Sequence, residues 1–324
     1  MRKIFFTSIL FSALFIACTD KPTTSDADYD KINAIEHQTT IKRFDKEYFE
    51  FDLKDIDKLA SEYPYFFPEG IEQIEFLSKR NDSLWIEVYD EVSNTYPNND
   101  KFKDVEFLFK AIKFYFPEKN VPKKLITVVG DMEKDFGAIY TDSIAIITLE
   151  TYLGQNHKYY SDFPEYLRNE YVSDQIAQDM ATKFAATVIK PSGDKSLIAN
   201  MVQQGKVQYL KDALLPYTSD NEKICYTPEQ ITWCEENEAE IWSYLIDKKV
   251  LFDSDGSLDA RFVRKAPFSK FYLDIDQESP GRVGVWIGWQ IVKSYLQNND
   301  VDLKTMLSTE PSEIFEKSKY KPNK

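Results

Sequence analysis

Histidine is almost absent from this chain. Two residues, His37 and His157, occur in 324, and they stand far apart. No pair of histidines at i and i+4 can therefore form one face of a helical metal site. Cysteine is nearly as scarce, with three residues, one of which (Cys18) closes an N-terminal apolar run. Cys225 and Cys234 remain. An oxidising compartment would permit a bridge between them, yet Cys225 precedes a helix start at Thr227-Pro228 and Cys234 falls in its second turn. We expect two separate thiols, with Cys234 buried. No CxxC, no G-x-S-x-G elbow and no phosphate-cradling glycine loop is present, so the chemistries those motifs carry are not indicated. Cations are also in deficit. Lys and Arg number 40 against 54 Asp and Glu, for a formal charge of −14 with no basic stripe. Phosphate contacts need cations, and nucleic acid is excluded as a partner. After the first eighteen residues no apolar run is long enough to span a bilayer.

Those eighteen residues, "MRKIFFTSILFSALFIAC", carry the most specific signal. Arg2 and Lys3 precede an apolar run from Ile4 to Ala17 that stops at Cys18, the layout of a secretory signal. "FIAC" reads as a lipobox, with Cys18 as lipidation site and mature N-terminus. We divide the chain into a signal peptide (1–17), a lipidated N-terminus and flexible tether (18–36) and a single globular domain (37–324). The lipid bilayer is then a partner through acylated Cys18. Acyl chains must do the anchoring, because an acidic body has no attraction to anionic lipid.

The body predicts an α+β fold, predominantly helical, with a small central β-sheet followed by a helical C-terminal half. "IKRFDKEYFEFD" (Ile41 to Asp52) reads as extended, leading into helical spacing from Leu53. Helices are expected near 69–79, 82–94 and 102–115. The β-branched stretches 123–131, 137–142 and 144–150 predict three strands, with a hairpin at Asp142-Ser143. Further helices are expected at 163–190, 196–210, 228–248, 281–298 and 311–317. "DSDGSLD" (Asp253 to Asp259) places its glycine too early for a calcium loop and reads as a turn.

In gluzincin-type zinc peptidases a small sheet is followed by a helix carrying His-Glu-x-x-His, and a second helix supplies a Glu ligand. "SDQIAQDMATKFAA" (Ser173 to Ala186) resembles that first helix with Gln178, Asp179 and Thr182 at the His, Glu and His positions. "MVQQGKVQYL" (Met201 to Leu210) places Gln204 where the ligand Glu would stand, with Tyr209 completing the Glu-Gly-x-x-x-Tyr pattern. Amides do not replace imidazole and carboxylate as zinc ligands. On this reading the fold is a degenerate, zinc-peptidase-like scaffold without cofactor. The competing reading is an ordinary core helix with small residues at Ala177, Ala181 and Ala185. A different enzyme class, a two-carboxylate hydrolase pairing Asp179 with Glu235 or Glu238, stays open as an alternative.

"ESPGRVGVWIGWQIVKSYL" (Glu278 to Leu296) is the second distinctive stretch. Gly284 and Gly288, one turn apart, suit close approach of another helix, expected to be that at 163–190. Gly281, Arg282 and Gly284 form a candidate anion site at a helix start. Alternatively they form a packing loop, with Arg282 paired to a carboxylate.

The lipobox at Cys18, together with "KRFDKEYFEFD", "FPEYLRNEY", "MVQQGKVQYLKDALLP", "YTPEQITWCEENEAEIWSYLI", "SPGRVGVWIGWQIVKSYL" and "SKYKP", resembles the gliding motility lipoprotein GldB family of the Bacteroidetes. The resemblance implies a cell-envelope lipoprotein required for gliding. Its partners would be other envelope proteins of a machinery linked to type IX secretion. The favoured location is the outer membrane facing the periplasm. It implies no catalytic residue, which suits a non-catalytic scaffold.

Overall fold

The computed structural model describes residues 26–67 and 77–323. Cys18, the signal peptide and most of the helix expected at 69–79 lie outside them. Among the described residues no helix is long and apolar enough to cross a membrane.

The sheet has four strands in the order β1-β2-β4-β3: β1 Thr40–Lys42, β2 Lys124–Val128, β3 Ala138–Tyr140 and β4 Ile144–Thr148. Three were expected. The fourth, β1, pairs parallel to β2 with Ile41 opposite Leu125. It was hidden in the Ile41–Asp52 stretch, which is extended only to Lys42 and becomes a helix at Phe44–Glu50. The expected hairpin forms at Asp142-Ser143, with β3 antiparallel to β4. Side chains alternate across the two inner strands. Leu125, Ala145 and Ile147 enter the main core, while Ile126, Ile144 and Ile146 meet a smaller aromatic cluster of Phe44, Tyr48 and Tyr63. Burial on both faces explains why these strands read as continuous β-branched runs.

Five helices carry most of the main core: α1 Lys103–Tyr115, α2 Gln175–Val188, α3 Leu197–Leu214, α4 Val283–Asn298 and α5 Pro311–Ser318. The fold is α+β and predominantly helical, as expected. α4 packs on α3, with α5 against both. The partner expected for α4, the 163–190 region, is therefore corrected to α3. Small residues decide it. A Cβ on Gly205 would overlap the Gly288 carbonyl, and one on Gly288 would overlap the carbonyl of Met201. At the same seam the Trp289 indole donates to Asp212 Oδ2 at 2.7 Å, and Lys223 pairs with the other Asp212 oxygen at 2.8 Å.

Other differences are local. Asp26–Asn33, expected in the tether, is a helix on α1, with Ile32 fully buried and Tyr29 stacked 5.2 Å from Phe107. The 163–190 helix begins only at Gln175, after a short turn of helix at Glu165–Arg168. Before it, the Tyr160 and Tyr171 rings pack in a tilted pair with centroids 4.5 Å apart, bringing the two ends of the intervening segment together. The 228–248 helix divides at Asn237, whose side chain donates back to the Trp233 carbonyl at 2.8 Å. "DSDGSLD" starts a helix, Gly256–Phe262, capped by Asp255. Asp220–Ile224 and Leu303–Ser308 are further helices, opened by a Ser219/Glu222 capping box and by Asp302. Cys225 and Cys234 are free thiols, and Cys234 is buried, as expected.

Candidate functional site

The five positions suggested by the peptidase pattern fall on two adjoining helices, α2 and α3, but they do not converge. Gln178 is 1% exposed, and its side-chain oxygen has no hydrogen-bond partner among the described residues. Thr182 faces solvent, with its hydroxyl donating to the Gln178 backbone carbonyl at 2.9 Å. Gln204 is exposed and Tyr209 half-buried. Asp179 alone enters a polar network.

That network is assembled from four parts of the chain. Lys134 donates to Asp179 Oδ2 at 2.8 Å, and the Tyr152 hydroxyl donates to the same oxygen at 2.9 Å. The Lys134 ammonium also sits 3.6 Å from the centre of the Tyr152 ring. Lys134 belongs to a turn of 3-10 helix leading into β3, and Tyr152 follows β4. Lys183, one turn beyond Asp179, donates to the Asp135 carbonyl at 2.7 Å and docks α2 on that turn. Buried Glu150 fixes the preceding loop by accepting from the Gly130 and Met132 amides at 3.0 and 3.1 Å. Burial raises the Glu150 pKa against the pull of those amides.

Burial by itself would raise the Asp179 pKa. The nearby Lys134 charge, its hydrogen bond and Lys211 outweigh that and hold the carboxyl below its usual range. Asp179 lies deep, yet 31% of its side-chain area stays open to water. Lys211 on α3 donates to the Lys223 carbonyl at 2.9 Å, and burial draws its amine down to about 8. Burial pushes the Cys225 thiol up to about 11, with Glu170 and Asp179 raising it and Arg282 and Lys211 opposing. At neutral pH this thiol is protonated and a poor nucleophile.

Over the start of α2 lies a cleft of about 620 Å³, lined by residues that include Gln155, Asn169, Gln175, Asn221 and Tyr226. A smaller hollow of about 30 Å³ shares Asn169 and Tyr226 and adds Glu170, Lys265 and Arg282. Glu170 and Lys265 pair there at 2.6 Å. Among the described residues Arg282 makes no ion pair with a carboxylate, which the packing reading supposed; its Nη1 donates to the Ile224 carbonyl at 3.3 Å. Its backbone is left-handed, φ 66°, immediately before α4. A Cβ on Gly281 would overlap the Ala266 carbonyl, and one on Gly284 would stand 2.8 Å from that of Phe262. Both glycines are therefore required by close packing at the rim.

Compared with protein-family models, residues 25–322 match the family described as gliding motility protein GldB. The chain belongs to this family. No curated protein and no solved structure matches it. Membership makes it a gliding-motility protein and specifies no chemistry.

The donor set of this GldB-family member does not fit zinc. Among the described residues, no three His, Cys, Asp or Glu side chains are grouped to hold a metal ion. Asp179 Oδ2 is taken by the Lys134 ammonium at 2.8 Å. Glu238, offered as a second catalytic carboxylate, accepts from Tyr320 at 2.5 Å and Asn323 at 2.9 Å, tying down the C-terminal segment. No hydrogen bond or ion pair joins it to Asp179. Lys134, Tyr152 and Lys211 were not anticipated. Lys211 follows Gln204 by seven residues, two turns along one helix face, and could have been found by extending that face. Lys134 carries no such signal, because it arrives from a loop.

Proposed function

We propose that this GldB-family protein is a non-catalytic scaffold of the gliding machinery, held in the cell envelope by acylated Cys18. Its partners are other envelope proteins of that type IX secretion-linked machinery, and its favoured site is the outer membrane facing the periplasm. The commitment of Asp179 to Lys134 and Tyr152 carries the reading. A general base must take a proton from water near neutral pH. A carboxylate held below its usual range, with an ammonium on one oxygen, is a weak base. The cleft over the start of α2 is rich in Asn and Gln, each offering a donor and an acceptor to a peptide main chain.

The test uses cells carrying chromosomal variants. Gln155→Ala with Asn169→Ala is expected to reduce colony spreading and crosslinking to envelope partners, at normal protein level. Asp179→Asn combined with Lys134→Met, which keeps the site neutral, is expected to leave spreading intact. Hydrolysis of a peptide library by the purified body, abolished by Asp179→Asn, would replace the scaffold with an enzyme. Normal spreading of the cleft variant would remove the cleft from the reading.

A further inference from the structure

Residues 269–283 form a rigid base that carries an apolar tip outward. Ser269 and Ser279 are buried at its foot. The Ser269 hydroxyl donates to the Pro280 carbonyl at 2.8 Å and accepts from the Val283 amide at 3.2 Å, fixing the loop to the start of α4. Phe271 is buried against Tyr244 and Phe262. From there the chain turns outward. The Asp276 carboxylate accepts from three consecutive amides, Phe271, Tyr272 and Leu273, at 3.0, 2.9 and 3.2 Å. Tyr272 is held left-handed at φ 61°, and its ring lies 4.5 Å from the Arg261 guanidinium. The result is that Tyr272, Leu273 and Ile275 are 74%, 52% and 39% exposed.

Single exposed apolar residues are ordinary. Three on one turn, pinned by a buried base and a left-handed backbone, are not accounted for by packing among the described residues. Pre-ordered tyrosine is a favoured interface anchor, because little side-chain freedom is lost on binding. Charge selects the occupant. From Phe271 to Gly281 the chain carries Asp274, Asp276 and Glu278 and no Lys or Arg. Asp276 is spent on the amides, while Asp274 and Glu278 make no ion pair among the described residues. Two cations adjoin the turn, Lys270 just before it and Arg261 against the Tyr272 ring, so its three carboxylates leave a net negative charge. An anionic membrane surface repels such a tip. A protein groove rimmed by cations attracts it. We propose that Tyr272, Leu273 and Ile275 insert into an apolar groove, rimmed by Lys or Arg, on a protein partner.

The experiment places a photocrosslinking phenylalanine at position 272 of the full chain in cells. A control carries it at Leu84, which is 70% exposed on the separate Ser83–Thr95 helix. A discrete adduct is expected at 272 and not at 84, mapping on the partner to an apolar segment flanked by Lys or Arg. It should fall about tenfold with Asp276→Ala, which frees the tip. Tyr272→Ser with Leu273→Ser should reduce spreading without lowering the melting temperature. The same adducts at both positions, or normal spreading of the double variant, would overturn the proposal. So would binding of the purified body to phosphatidylethanolamine–phosphatidylglycerol vesicles that the double variant loses, since the occupant would then be lipid.

Discussion

Gly205 and Gly288 lie where α3 and α4 cross: a Cβ on Gly205 would strike the Gly288 carbonyl, and one on Gly288 the carbonyl of Met201, one turn before Gly205. Backbone stands opposite backbone at this point, so no flexible side chain can yield. Gly288→Ala is expected to cost about 3 kcal/mol or more, the upper range for overpacking. Gly256→Ala, at a position with open space around it, should cost far less. Urea unfolding of the two variants measures the difference, and equal midpoints would show that the crossing relaxes.

The Lys134–Asp179 pair makes an opposite prediction for single and double changes. Lys134→Met strands a deep carboxylate and should destabilise by about 3 kcal/mol, the low end for a buried pair because Asp179 keeps partial access to water. Adding Asp179→Leu should recover most of that loss. A double-mutant cycle checks it; a double variant worse than the sum of its parts would mean that packing, not charge, governs the site.

Lys206 gives a pH signature. It is buried, donates to the Leu307 and Thr309 carbonyls, and burial brings its amine from an ordinary 10.5 to about 8. Between pH 8 and 10 the unfolded chain binds more proton than the folded one, so stability contributed at this residue rises with pH. Relative to Lys206→Met, the native protein should gain up to about 1.4 kcal/mol per pH unit across that window. The lost hydrogen bonds shift the offset between the two proteins and leave the slope. Denaturant midpoints at pH 8, 9 and 10 read it, and parallel lines would contradict it.

Metal content offers a direct check on the donor-set argument. Purified without a metal-binding tag, the body should carry no stoichiometric zinc by mass spectrometry. One zinc per chain would require ligands other than Gln178, Asp179, Thr182 and Gln204, and would reopen the peptidase question.

The α+β class, the β3–β4 hairpin and the long C-terminal helices were legible because each shows in local periodicity. Burial of Ile126 on one face and Leu125 on the other leaves a run of apolar residues that reads as strand from the sequence alone. β1 was not legible. A three-residue strand has too little period to register, and its parallel partner comes over 80 residues later. Asn237 hid a helix break for a related reason, since its effect lies in one side-chain hydrogen bond back to Trp233.

The sequence by itself determined the ligand count. Two histidines and a Gln-Asp-x-x-Thr helix cannot supply the three donors that the peptidase pattern needs, whatever the fold. It also marked Gly288 as a point of close helix approach, because only a residue without a Cβ allows it. Which helix approached, and what Asp179 faces, were decided by tertiary structure. Lys134 and Tyr152 reach that carboxylate from turns 45 and 27 residues upstream, and such meetings are set by how the sheet and helices pack. Local pattern records which face of an element is apolar. The partner met across the core is recorded only in the assembled fold.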